Sequence, residues 1–305
     1  MPWINREYRE PIHVEQGDTR SIASRRWTGV LLIVISAAAF GVLPILTRLA
    51  YRAGADAPTI LLLRYVIAAM VMLAIVAVRR TPLPRGRTLF GLILMGAVGY
   101  VGQSLTYFTA LTLASASLVS LLLYLYPAIV TMLSAWFFKE RLTPLKLGAL
   151  MLALGGTVLT IGPTGNGRLP GILLALAAAV IYSGYILVGS RLMPHASAIG
   201  ASTIVITAAA LVYIGIVAVR GPVFPSTLPG WGAVVAIALI STVLSIVTFF
   251  AGLERVGPSK ASTLSTLEPV VSVGLAILVL GEALNPFQIL GGALILVAVL
   301  VCSLT

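Results

Sequence analysis

The chain has 305 residues, of which 59% are hydrophobic and only 10% charged, with a mean hydropathy of +1.06. That composition excludes a water-soluble globule, because too little polar surface exists to cover one. The net charge of +11 does not mark a nucleic-acid binder, since the basic residues fall between apolar runs instead of forming one patch.

In chain order, residues 1–26 are polar and mixed in charge, and they are expected to be a disordered cytoplasmic tail. The first apolar run starts near Trp27 and lacks a small-residue cleavage site, so it is expected to be a retained helix, not a signal peptide. Apolar stretches long enough to cross about 30 Å of hydrocarbon follow at 28–50, 58–78, 88–111, 114–138, 144–162, 169–191, 197–219, 230–252, 258–280 and 286–304. The expected fold class is therefore an all-α membrane protein with ten transmembrane helices. Lys and Arg number fifteen on the side of the N-terminus and four on the other, namely Arg48, Arg52, Arg168 and Arg220. The positive-inside rule then expects both termini in the cytoplasm.

Shifting the sequence by 142 residues aligns it with itself without a gap. Phe108 falls on Phe250, Ser117 on Ser259, Pro127 on Pro269, Glu140 on Glu282 and Pro144 on Pro286, while Gly29 falls on Gly171 and Phe40 on Tyr182. Paired prolines and glutamates in apolar segments are not chance matches, so the chain divides into a first five-helix repeat at 27–162, a linker at 163–168 and a second repeat at 169–305. Five is odd, so the second copy enters the membrane from the opposite side. Inverted repeats of this kind predict alternating access, with a binding site near the midplane between the halves. The glycines of Gly162-Pro163-Thr164-Gly165-Asn166-Gly167 lack the Lys-Ser or Lys-Thr of a phosphate-binding loop.

Candidate site residues are the polar ones at depth. Glu268 precedes Pro269 inside the ninth span, where a charge costs about 3 kcal/mol and must face a cavity or a partner. It reads as a contact for a substrate amine or as a proton-coupling group; the alternative is a carboxyl satisfied by Ser262, Thr266 or Lys260. Pro269 lacks a backbone donor and leaves the Ser265 carbonyl available for a ligand or water. Tyr126, before Pro127, is the repeat partner of Glu268. Gln103 and Tyr107 share one face of the third span with Tyr100 nearby; Tyr182 and Tyr185 pair on the sixth, and Ser245 and Thr248 on the eighth. Each either lines a cavity or joins helices. Tyr51, Tyr213, Trp27, Trp136 and Trp231 read as interfacial belt residues. Arg64 is either a contact for a substrate carboxylate or a snorkelling side chain paired with Asp56. Glu140 and Glu282 read as helix-end capping or salt-bridge residues. Pro44, Pro127 and Pro269 are candidate hinges, and Gly96, Gly99 and Gly102 permit close helix packing. No metal site, cofactor or hydrolytic set is expected: His13 and His195 lie in the tail and a loop, and Cys302 is the single cysteine.

Phe40-Gly41 through Arg48, Pro58, Arg64, Tyr126-Pro127, Glu140-Arg141-Leu142-Thr143-Pro144 and Gly148, followed by Pro269, Glu282 and Pro286, together resemble the duplicated EamA-type unit of the drug/metabolite transporter superfamily. The resemblance spans about residues 28–304. It implies a ten-helix carrier of the bacterial inner membrane with a small-molecule substrate held in a central cavity, Phe40 being counted among the lining. The Tyr-rich lining is similar to that of exporters of aromatic and hydrophobic amino acids, because ring faces bind apolar side chains and ammonium groups. Broad drug or metabolite efflux is the alternative, and a scaffold without transport is a third reading. Arg64 has Ile206 as its counterpart, so a symmetric two-arginine clamp is not expected.

Overall fold

The computed structural model describes residues 16–138, 144–161, 168–192, 196–256, 261, 264–265 and 267–304. Those residues form α1 (Gln16–Gly41), α2 (Leu43–Arg52), α3 (Ala57–Arg79), α4 (Gly86–Leu94), α5 (Val101–Leu113), α6 (Ala116–Leu123), α7 (Tyr126–Phe138) and α8 (Pro144–Ile161) in the first half. The second half contributes α9 (Leu169–Leu192), α10 (Ala198–Arg220), α11 (Leu228–Ala238), α12 (Ser245–Val256), α13 (Leu267–Leu280) and α14 (Pro286–Leu304). Single π-helical turns, Met95–Tyr100 and Leu239–Leu244, join α4 to α5 and α11 to α12. Among the described residues, six continuous helical runs are long and apolar enough to span a membrane, and four shorter apolar helices complete ten. All described secondary structure is helical, as lipid requires of a chain that must satisfy its backbone within each segment.

Two expected spans are interrupted. The first breaks at Val42, where Pro44 begins α2; the fourth breaks at Tyr124 and Leu125, where Pro127 stands second in α7. Pro269 is likewise in the first turn of α13. A proline lacks the donor an interior turn needs, so Pro44 and Pro127 sit where the ladder has already been interrupted. The helix of the first span also reaches back to Gln16, so residues 16–26, expected to be disordered, are helical. The linker at 163–168 lies outside the described residues except for Arg168, whose N–H donates to the Leu113 carbonyl at 3.0 Å.

The packing follows the internal repeat. Helix α1 packs along α12, and its counterpart α9 packs along α5; α3 crosses α10 and α8 crosses α14. The correspondence reaches single contacts: a Cβ on Gly29 would lie 2.7 Å from the Arg255 Cβ, and one on Gly171 2.8 Å from the Leu113 Cβ. Both pairs are related by the 142-residue shift. In each case the start of one half's first helix meets the end of the other half's third, so the halves are inverted. A Cβ on Gly156 would lie 2.7 Å from the Gly291 carbonyl oxygen, which makes the α8–α14 crossing a backbone-to-backbone contact. Gly96 packs against the backbone of α10 at Val205 in the same manner, whereas Gly99 and Gly102 face Tyr185 and Ile181 at 3.4 Å or more.

Candidate functional site

Between the halves lies a continuous run of tyrosine rings. Tyr213 stacks on Tyr65 at 5.5 Å between centroids, Tyr65 meets Tyr100 edge-on at 5.3 Å, and Tyr100 stacks on Tyr185 at 5.5 Å. From Tyr185 the run continues to Tyr182 at 5.9 Å, Tyr126 at 4.8 Å and Tyr124 at 5.4 Å. These rings come from α3, α7, α9, α10, the π turn at Met95–Tyr100 and the break after α6. Stacked and edge-on pairs each contribute about 0.5–1.5 kcal/mol beyond their burial, so the run is a firm partition with polar tips.

Arg64 stands at one end. It is buried, with its Nε donating to Thr242 Oγ1 at 2.7 Å and Nη2 to Tyr100 Oη at 3.2 Å, and its guanidinium lies 5.0 Å from the Tyr65 ring centre and 5.6 Å from that of Phe108. Thr242 belongs to the second half, so Arg64 ties the halves together. The snorkelling alternative is corrected here, because Asp56 instead caps α3 by accepting from the Thr59 N–H at 3.0 Å. Among the described residues no carboxylate pairs with Arg64, and its charge is met by hydroxyls and ring faces.

Glu268 stands at the other end, in the first turn of α13. It is enclosed by the bundle yet retains accessible surface, and its carboxylate makes no hydrogen bond to any described residue. Its suggested partners Ser262, Thr266 and Lys260 lie outside the described residues. Its charge acts on the phenols of Tyr107, Tyr124, Tyr126 and Tyr182. Tyr107 is within electrostatic reach of both Arg64 and Glu268. Gln103, one turn back on α5, is 9% exposed and its amide has no partner among the described residues. Tyr126, Tyr182, Tyr185 and Phe40 are half-buried. Phe40 stands beside Gly41, whose carbonyl accepts from Ser272 Oγ of α13 at 2.9 Å.

Other predicted members are engaged elsewhere. The Ser245 hydroxyl donates to the Thr242 carbonyl at 3.3 Å and that of Thr248 to Leu244 at 2.7 Å, while the Ser245 carbonyl receives Ser36 Oγ at 2.8 Å. These groups fasten α1 to α12. The Ser265 carbonyl, expected to be free for a ligand, instead accepts the Tyr124 hydroxyl from the opposite half. Tyr213 is fully buried in the tyrosine run and Tyr51 is half-buried with its hydroxyl on the Phe108 carbonyl at 2.7 Å, so neither is a belt residue. Trp27 is exposed, Trp231 stacks on Phe224 at 5.7 Å, and the Trp136 side chain lies outside the description. Tyr65, Tyr124 and Tyr213 were missed as site residues. The signal for Tyr65 was its place beside Arg64, since a ring next to a buried guanidinium is a ready cation–π partner.

At the mouth opposite the N-terminus, Glu282 reaches across the halves and caps α6. Its carboxylate accepts from the Ala116 N–H at 2.8 Å, the Ser117 N–H at 3.1 Å and Ser117 Oγ at 2.7 Å. A carboxylate on a helix N-terminus satisfies orphan donors and the helix dipole together. Glu140, its counterpart, lies outside the described residues, as do His13 and His195. No cluster of potential metal ligands occurs among the described residues.

The EamA-like transporter family matches the chain twice, at residues 27–162 and 169–304. The transporter YcbK of Bacillus subtilis is 26% identical over 290 residues, covering 91% of this chain and 92% of that protein. The aromatic amino acid exporter YddG of Ancylobacter novellus is 31% identical over 190 residues, covering 60% of this chain and 65% of YddG. A solved crystal structure superposes with a TM-score of 0.62 at 26% identity, covering 93% of this chain and 97% of its own. With the inverted packing already described, these matches make the chain a multi-pass membrane transporter of the EamA-like family.

Proposed function

We propose that the chain exports amino acids with aromatic or hydrophobic side chains, and related small metabolites, by alternating access across the bacterial inner membrane with both termini in the cytoplasm. The observation that carries this reading is the separation of one cation, Arg64, and one anion, Glu268, by a run of tyrosine rings. Arg64 offers a guanidinium to a carboxylate, Glu268 offers a carboxylate to an ammonium, and Tyr107 is within electrostatic reach of both. A zwitterion with a ring or aliphatic side chain matches that set, because each head-group charge meets its opposite and the side chain meets ring faces. Gln103 and Tyr107 hydrogen-bond the head group, and Tyr100, Tyr126, Tyr182, Tyr185 and Phe40 contact the side chain. Glu268 exchanges a proton for the ammonium, and Pro44, Pro127 and Pro269 are the hinges at which the broken spans bend. The name of YddG agrees with this substrate class.

Glu268, which has no hydrogen-bond partner among the described residues and lies within electrostatic reach of three tyrosines, favours a second reading, efflux of lipophilic cations. Purified protein in liposomes separates the two. Tyrosine, tyramine and 3-(4-hydroxyphenyl)propionate share one ring and differ only in charge. Export of the zwitterion requires that tyrosine is carried best and that Arg64→Ala abolishes its advantage over tyramine. Faster flux of tyramine than of tyrosine, insensitive to Arg64, would establish cation efflux instead, and no flux of any would leave a scaffold.

A further inference from the structure

The cap formed by Glu282 closes one wall of a cavity of about 350 Å³, lined by Arg48, Tyr51, Arg52, Leu280 and Glu282. Its electrostatics are unbalanced. The Glu282 carboxylate is fully occupied by three donors at the start of α6 and forms no ion pair with either arginine among the described residues. Arg48 donates one Nη to the Ala114 carbonyl, while its Nε is buried without a partner. Arg52, exposed at the end of α2, adds a second cation.

A helix-end role accounts for Arg52, which stands in the last turn of α2. It does not account for the buried Arg48 Nε, which forgoes solvation without compensation. Nor does the repeat require these residues: the positions related by the 142-residue shift are Ser190, Met193 and Pro194. The mouth on the N-terminal side thus lacks this pair of cations, although that side holds most of the basic residues in the sequence.

We propose that this vestibule is a second binding station, separate from the tyrosine core, which takes the carboxylate of a small organic acid or amino acid between Arg48 and Arg52. The ring of Tyr51 and the side chain of Leu280 give the apolar part of the ligand a wall. The volume equals about a dozen waters at ~30 Å³ each, enough for an amino acid. That the carboxylate belongs to the transported molecule rests on the export reading above; the anion site does not.

The test uses the full chain in phosphatidylcholine nanodiscs with Leu280→Trp as a fluorescent reporter in the vestibule wall. Tyrosine and 3-(4-hydroxyphenyl)propionate should shift its emission, tyramine should not, and adding Arg48→Gln or Arg52→Gln should weaken the carboxylate response about tenfold, equivalent to ~1.4 kcal/mol. No carboxylate-dependent shift, or one unchanged by either arginine substitution, overturns the proposal. A shift obtained only when phosphatidylglycerol is added assigns the cations to a lipid phosphate and overturns it equally. Sided flux checks the link to transport without a reporter. Arg52→Gln should raise the tyrosine KM about tenfold when tyrosine enters from the vestibule mouth and leave it unchanged from the other. Wild-type protein that carries no tyrosine sinks the export reading, while the emission titration still decides the vestibule.

Discussion

The seams where the halves touch and the core between them follow opposite rules. At the seams the two copies do the same thing: Gly29 against Arg255 repeats as Gly171 against Leu113, almost to the tenth of an ångström. In the core they do different things, since Arg64 faces Ile206 in the repeat and Glu268 faces Tyr126. Matched seams allow either half to take the other's shape at similar cost, as an exchange between two open states requires. Unmatched core residues give the enclosed space a head and a tail. On the proposed export reading, recognition and movement rest on different residues.

The comparison is broken most severely at a seam. Gly29→Leu and Gly171→Leu should each destabilise the protein by about 3 kcal/mol or more, because the facing Cβ atoms leave no room. Thermal unfolding in detergent should show two similar losses; a large loss for one alone would mean that the seams are not equivalent. Next in size, Arg64→Ala removes charge-assisted contacts of about 1.5–3 kcal/mol, so the KM for tyrosine should rise at least tenfold while tyramine uptake is unaffected. Glu268→Gln should reverse that pattern, slowing tyrosine and tyramine but sparing 3-(4-hydroxyphenyl)propionate; equal losses for all three would reduce Glu268 to a structural carboxyl. Tyr182→Leu should cost about 0.5–1.5 kcal/mol of affinity for ring-bearing substrates only, read as a KM change for tyrosine but not for leucine. Smallest of all, Ser36→Ala deletes one hydrogen bond at a seam worth about 1 kcal/mol, and it should lower the unfolding temperature without moving any KM.

How far the sequence reached depended on distance along the chain. The 142-residue shift paired Gly29 with Gly171 as a mark of the duplication, and the structure adds that both are points of close helix approach. Gln103 and Tyr107 are buried on α5, and Tyr100 is buried in the π-helical turn that precedes it. Arg64 was different: its direction is set by Thr242, 178 residues away, and a single helix carries no record of that neighbour. Tyr213 was read from its depth as an interfacial ring, yet it stacks on Tyr65 from another helix. Ser245 and Thr248 share a face, as expected, but their hydroxyls return to carbonyls of their own segment, which spacing alone does not reveal.

The bare crossing of Gly156 and Gly291 has a mechanical consequence. Two backbones pressed together with no side chain between them have neither slack nor an alternative register. The fifth and tenth spans therefore serve as a keel. Any rearrangement of the bundle meets its greatest resistance at that pair.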